Sequence, residues 1–209
     1  NGAKCWITNA NHLDLCLLLA KIKGDGPRPV FAIFLVDGNA PGVSKGQPFR
    51  TIHHGCGNLG ELFFDNVRVG ADRLLGGVED GGMRHAARTL NLTRVLFAAR
   101  AVASCELALN MALDFSKGRQ AFGGALFDLQ TVKARLAEIR MRVDVARAFV
   151  VKFLVQATAG TLTAERSSMA KLWATEMEVE VADSCAHLNG AMGMSREHPI
   201  SRTVTASRA

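Results

Sequence analysis

A chain of 209 residues can bury a substantial core in one or two domains. With 48% hydrophobic and 21% charged residues it has the make-up of an ordinary globular protein, which argues against disorder. The formal charge of +6 is scattered along the chain, and no helix-turn-helix, RNA-binding or zinc-finger pattern accompanies it, so nucleic acid is set aside as a partner.

Residues 1 to about 75 read as strands and turns. Short apolar runs at 5–8, 14–20, 30–36 and 61–69 are separated by turn formers such as Gly24-Asp25-Gly26-Pro27 and Asp37-Gly38-Asn39-Ala40-Pro41-Gly42. With no helix between them, strands at such spacing predict an antiparallel sheet or small barrel. Gly55-Cys56-Gly57-Asn58-Leu59-Gly60 spells G-x-G-x-x-G, but it precedes a strand and opens no helix. It therefore reads as a loop and not as a dinucleotide turn.

The period changes near Gly81-Gly82. Met83, Ala86, Ala87, Leu90, Arg94, Ala98 and Val102 follow a helical repeat that runs to about Lys117, with Gly118 placed to end it. A second helix is predicted over about 126–158, with Leu129, Val132, Leu136, Ile139, Val143, Ala146 and Val150 on one face and Gly160 as its stop. A third covers about 164–188, with Met169, Trp173, Met177, Val181 and Cys185 at four-residue steps. The fold class is therefore α+β: an antiparallel β segment as a first domain, 1–78, then an antiparallel bundle of long helices, 79–209. Both ends read as incomplete, because Asn1-Gly2 looks like the middle of a hairpin and three helices are one short of a four-helix bundle.

Lys133, Arg135, Arg140, Arg142, Arg147 and Lys152 share one helical stretch, interrupted by Glu138 and Asp144; they form a solvated face or a surface for an anionic ligand. Cys5, Cys16, Cys56, Cys105 and Cys185 are too widely spaced for a disulfide framework and read as reduced, mostly buried thiols. His53, His54 and Cys56 have no fourth ligand at suitable spacing, so no metal is expected. No membrane span is expected either: residues 15–20 are too few, and 143–155 are broken by Arg147 and Lys152.

Trp6 and Thr8 fall two apart on a strand and so share a face, which is turned either to the core or to a ligand. An indole and a hydroxyl together suit a flavin. Arg119, in Gly118-Arg119-Gln120-Ala121-Phe122-Gly123 between two helices, carries a fork that suits a pyrophosphate, or else it caps the preceding helix. With Lys4-Cys5-Trp6-Ile7-Thr8-Asn9, Glu61-Leu62-Phe63-Phe64-Asp65-Asn66-Val67-Arg68-Val69 and Leu188-Asn189-Gly190-Ala191-Met192-Gly193, the order and spacing resemble the second half of the acyl-CoA dehydrogenase family along nearly the whole chain.

The resemblance implies an FAD cofactor, the middle and C-terminal domains of that family, and oxidation of an acyl thioester to its 2,3-enoyl form. By it, Trp6, Ile7 and Thr8 contact the isoalloxazine, while Arg119, Phe122 and Gln130 reach the FAD of a neighbouring subunit. Gly190 admits the cofactor close to the backbone, and Arg94 lines the thioester channel. It also implies an acyl-CoA or acyl-carrier thioester as substrate, an electron-transfer flavoprotein or similar acceptor, and a homodimer or homotetramer. The compartment would be the cytoplasm, or the mitochondrial matrix in a eukaryote.

The departures matter equally. Asn91 stands where the family has an aspartate, and Ala191 where it has a glycine. Glu197-His198-Pro199 replaces E-Y-P, and of the family's R-D-A-R little besides Arg208 remains. Thr93 occupies one of the two places where the family puts its base glutamate; the other would lie beyond Ala209, so no catalytic base is expected in this chain. The alternative to an enzyme part is a catalytically silent subunit pairing with an active homologue. A related monooxygenase or oxidase shares the scaffold.

Overall fold

The computed structural model describes residues 1–22, 28–52, 58–77 and 81–208. The motif at 55–60 falls largely outside them, as do His53, His54 and Cys56. Two compact units are present, one of Asn1–Thr51 with Gly55–Thr89 and one of Ile52–His54 with Leu90–Ala209.

The first unit is built from antiparallel strands. β1 (Gly2–Thr8) pairs with β5 (Leu59–Phe64), which also pairs with β4 (Val43–Lys45); β2 (Leu15–Ile22) pairs with β3 (Val30–Asp37) over eight consecutive residues. Ala10, Val36, Leu62 and Phe64 form its buried centre, ringed by Ile7, Leu13, Leu18, Phe34, Val43, Val67 and Val69. β4 is too short to show as an apolar run. The strand expected over 61–69 stops at Phe64, because Asn66 turns left-handed (φ 51°) and donates its backbone N–H to Asn1 Oδ1 at 2.7 Å.

The second unit is helical. It contains most of α1 (Gly82–Gly118), a small hairpin of β6 (Gln120–Ala121) and β7 (Gly124–Ala125), then α2 (Gln130–Thr158), α3 (Ala164–Leu188) and a short α4 (Pro199–Ala206). Val95, Ala98, Val102, Cys105, Leu109 and Ala112 of α1 meet Val132, Leu136, Ile139, Val143, Ala146, Val150 and Phe153 of α2 and Met177, Val181 and Cys185 of α3 in one core. α1 is long and apolar enough by length and composition to cross a bilayer, but its apolar stripe is the one that lines this core.

Two expected stripes are corrected in their first turns, while Ala98 and Val102 on α1 and Met177, Val181 and Cys185 on α3 are buried as expected. Met83 and Leu90 at the start of α1 are exposed, and so are Met169 and Trp173 on α3, at 55% and 39%. Steps of four residues drift by about 40° each on a 3.6-residue helix, so Met169 and Cys185 end up on nearly opposite sides. The buried stripe of α3 instead runs through Ser167, Ala170, Ala174, Glu178, Val181 and Cys185. A short helix that the sequence reading did not anticipate, α4, is started by Pro199 and anchored by the fully buried Ile200.

Charges on α2 are mostly paired. Arg135 bonds Glu138 and Arg140 bonds Asp144 along the helix, while Arg142 reaches Glu180 on α3 and Arg147 reaches Glu106 on α1. Deeper in, the Arg100 guanidinium grips Glu178 with two hydrogen bonds, of 3.2 and 2.9 Å, and Glu178 has no exposed surface. Of the four described cysteines, Cys105 and Cys185 are buried, Cys16 is half-buried and Cys5 is exposed.

Candidate functional site

In the first unit the candidate residues sit on a β-bulge. β1 keeps register with β5 up to Lys4↔Leu62 and resumes at Ile7↔Gly60, so Cys5 and Trp6 together oppose Glu61. Trp6 absorbs the extra residue with φ 60°, a left-handed conformation costing a non-glycine residue about 1–2 kcal/mol. The bulge shifts the register of the residues before it, while from Trp6 to Thr8 burial still alternates as the shared-face expectation has it: Ile7 packs on the core, and Trp6, 63% exposed, and Thr8, also exposed, both stay at the surface. The core-facing reading of the pair is therefore excluded. One side of the indole rests near Phe49, ring centroids 4.4 Å apart and 40° between planes. The unit's cleft of about 580 Å³ lies elsewhere, along Gly2, Lys4, Leu18, Phe34 and Phe64, and none of Trp6, Ile7 and Thr8 lines it.

In the second unit the connection from α1 to α2 holds three candidates within twelve residues. Arg119 closes α1 by donating its N–H to the Phe115 carbonyl at 2.9 Å, and its own carbonyl accepts from Leu126 N–H at 2.8 Å. Its exposed guanidinium has no hydrogen bond or ion pair among the described residues, so it does not cap α1. Phe122 and Gly123, both with positive φ, form the two-residue tip of the hairpin, and Phe122 is 87% exposed. Gln130, exposed, opens α2.

Gly190 follows the C-cap Asn189 of α3 with φ 57°, and a Cβ there would meet nothing within 4 Å. Gly193 is different: a Cβ would fall 2.1 Å from the Ala186 carbonyl oxygen, so this glycine lets the chain fold back onto the end of α3. Asn189 is buried, its amide donating to the Cys185 carbonyl at 2.8 Å while its Oδ1 has no partner among the described residues.

Arg94 is half-buried and not an exposed helix arginine. Its guanidinium donates to Asn91 Oδ1 at 3.2 Å, and the same oxygen accepts from Ser167 on α3. Sequence reading missed this brace, as it missed Phe49; the buried place of Ser167 in the α3 stripe was the available signal. About 36 Å of helix separates Arg94 from the hairpin at the end of α1, so the two cannot touch one small group within a single chain.

Residues 80–209 match the model of the acyl-CoA dehydrogenase C-terminal domain, and residues 1–67 that of the acyl-CoA dehydrogenase middle domain. The chain belongs to the acyl-CoA dehydrogenase family. It is 34% identical over 210 residues to the long-chain specific acyl-CoA dehydrogenase of Mus musculus, covering 100% of this chain and 49% of that protein. The crystal structure of an acyl-CoA dehydrogenase from Geobacillus kaustophilus superposes with TM-score 0.93 at 31% identity, over 98% of this chain and 54% of that one. Butyryl-CoA dehydrogenase from Megasphaera elsdenii gives 0.94 at 28% identity, over 100% and 54%. The chain thus spans about half the length of the curated relatives it matches. The α+β order of the acyl-CoA dehydrogenase fold, antiparallel strands followed by a helical bundle, is the one expected from the sequence.

Proposed function

We propose that this chain is the flavin-contacting and bundle-forming part of an FAD-dependent acyl-CoA dehydrogenase, which oxidises an acyl thioester to its 2,3-enoyl form. One observation carries the reading. The described non-glycine residues with positive φ are Trp6, Asn9, Asn66 and Phe122. Asparagine tolerates that conformation; a large aromatic does so at a cost, and such strain clusters at binding sites. The two strained aromatics are both largely exposed, and both are residues that the family resemblance assigns to the cofactor.

The residues present fit FAD. Trp6 would offer its free indole face and Thr8 its hydroxyl to the isoalloxazine, with Ile7 anchoring the strand below. The unpaired Arg119 fork suits the pyrophosphate, Phe122 and Gln130 flank it, and open space at Gly190 admits the dinucleotide beside the backbone. When bound, the flavin supplies the two-electron acceptor for the substrate's β-hydrogen. Arg94, held by Asn91, presents a fixed positive charge toward the thioester and orients it. The α-proton must go to a carboxylate, and Thr93 offers a hydroxyl at one place where the family carries glutamate. The distance between Arg94 and the hairpin supports a homodimer or homotetramer in which Arg119, Phe122 and Gln130 serve a neighbour's cofactor. Electrons would pass to an electron-transfer flavoprotein or a similar acceptor.

The test is to mix purified protein, FAD and a series of acyl-CoA thioesters under anaerobic conditions and to follow the flavin absorbance. FAD should bind and stay oxidised, because Thr93 cannot take up the α-proton as a carboxylate does. Failure to bind FAD refutes the flavin reading, and bleaching refutes the assignment of Thr93 to the position of the base. The second reading, a silent subunit, is favoured by Thr93 specifically; mixing with an active homologue and finding no mixed oligomer would remove it.

A further inference from the structure

We propose that Lys117 and Lys133, both braced on the ring of Phe127, complete with Arg119 a three-cation site for a diphosphate group. The inference rests on the proposed role of Arg119 and adds two residues to it. Lys117 Nζ lies 5.8 Å and Lys133 Nζ 5.4 Å from the centroid of the same ring. The hairpin bond from Leu126 N–H to the Arg119 carbonyl, 2.8 Å, holds Arg119 next to the segment that carries Phe127.

Three features make this more than a solvated basic surface. Lys117 ends α1, where a cation suits the helix dipole, but Lys133 lies in the opening turn of α2, where the dipole opposes it. That turn has no acidic residue and no side-chain cap to compensate. Among the described residues, none of Lys117, Arg119 and Lys133 has an ion-pair partner, although neighbouring Arg135 and Arg140 do. The nearby acid, Asp128, has one carboxylate oxygen taken up by the Ala125 N–H at 3.1 Å. Helix stability explains Lys117 but not Lys133 on the same ring, whereas a diphosphate anion accounts for both. Contact with the ring restrains both lysine stems, so less side-chain freedom is lost on binding, and each ammonium keeps donors for phosphate oxygens. The fork of Arg119 supplies the paired donors.

FAD and coenzyme A both carry an adenosine diphosphate, so inorganic pyrophosphate is the probe for the shared group. Calorimetric titration of the full chain with pyrophosphate, FAD and coenzyme A, at low and raised salt, separates the sources. Pyrophosphate should bind, and more weakly as salt rises. Lys117→Met and Lys133→Met should each weaken it about fivefold, as expected for one partly screened charge. Lys133→Arg should retain wild-type binding, which controls for folding. A parallel loss for FAD but not coenzyme A assigns the site to the flavin nucleotide, and the reverse assigns it to the thioester carrier. Absence of pyrophosphate binding, methionine variants that bind as wild type, or an arginine variant as weak as methionine would overturn the proposal. Pyrophosphate binding through the lysines without any FAD binding leaves this site standing and removes the flavin reading. FAD binding that ignores both lysines, with pyrophosphate and coenzyme A ignoring them too, does the opposite.

Discussion

Removing the Arg100 side chain should strip a fully buried carboxylate of its counter-charge. Glu178 has no exposed surface, and both its oxygens accept from Arg100, at 3.2 and 2.9 Å. Breaking a buried pair by deleting one partner costs about 3–5 kcal/mol. Arg100 itself is 41% exposed, so water already screens the pair, and the loss for Arg100→Met should be about 2–3 kcal/mol, or roughly 6–9 °C in melting temperature. Glu178→Gln should cost less, since the guanidinium can turn to solvent and the amide oxygen can still accept. The double change Arg100→Met with Glu178→Met should recover most of the loss, because apolar side chains of similar size need no partner there. The chain has two tryptophans, one in each unit, so a Trp6→Phe background makes Trp173 fluorescence report urea unfolding of the helical unit alone. The reasoning fails if Arg100→Met falls within about 0.5 kcal/mol of its parent, or if the double variant is as unstable as that single one.

Cys105 and Cys185 should make the helical unit sensitive to alkali. Burial pushes both thiols from the ordinary 9.0 up to about 12, with the nearby Glu178 charge adding to the effect at Cys105. The folded state thus holds protons that the unfolded state releases above pH 9, so their contribution is complete below 9 and is lost as pH rises toward 12. The slope is up to about 1.4 kcal/mol per pH unit for each thiol; urea midpoints in Cys105→Ala and Cys185→Ala should fall less steeply over that window. Gly193→Ala drives a Cβ into the Ala186 carbonyl and should cost about 2–3 kcal/mol. Gly190→Ala meets open space and pays only its left-handed φ, about 1 kcal/mol; equal losses in thermal melts would contradict this. Trp6→Ala should change the melting point little, given its exposure, yet weaken FAD binding about tenfold in a fluorescence titration.

The α2 core face was legible because six of its seven expected positions, Val132 to Val150, repeat at three and four residues without drift, and those six are buried. On α3 the four-residue series misled at Met169 and Trp173, although its later members Met177, Val181 and Cys185 are buried as expected. The true stripe there runs through small and polar residues, Ser167, Ala170, Ala174 and Glu178, which carry little apolar signal. Glu178 could have been suspected, being in phase with Ala174, Val181 and Cys185, but a carboxylate at a core position cannot be distinguished from a break in the pattern until its partner is known. The site motifs were visible as letters, whereas the bulge at Cys5 and Trp6 was not, because register is a property of two strands and β1 and β5 lie some fifty residues apart in the chain.

That bulge makes the site fragile in an unusual way. Losing a single codon at Cys5 would let β1 zip evenly onto β5 and return Trp6 to ordinary extended backbone. The sheet would be the calmer for it, with its inward-facing residues undisturbed. A lineage freed of any selection on this surface could therefore lose the left-handed posture of the indole by one small deletion and keep a well-folded scaffold for other uses.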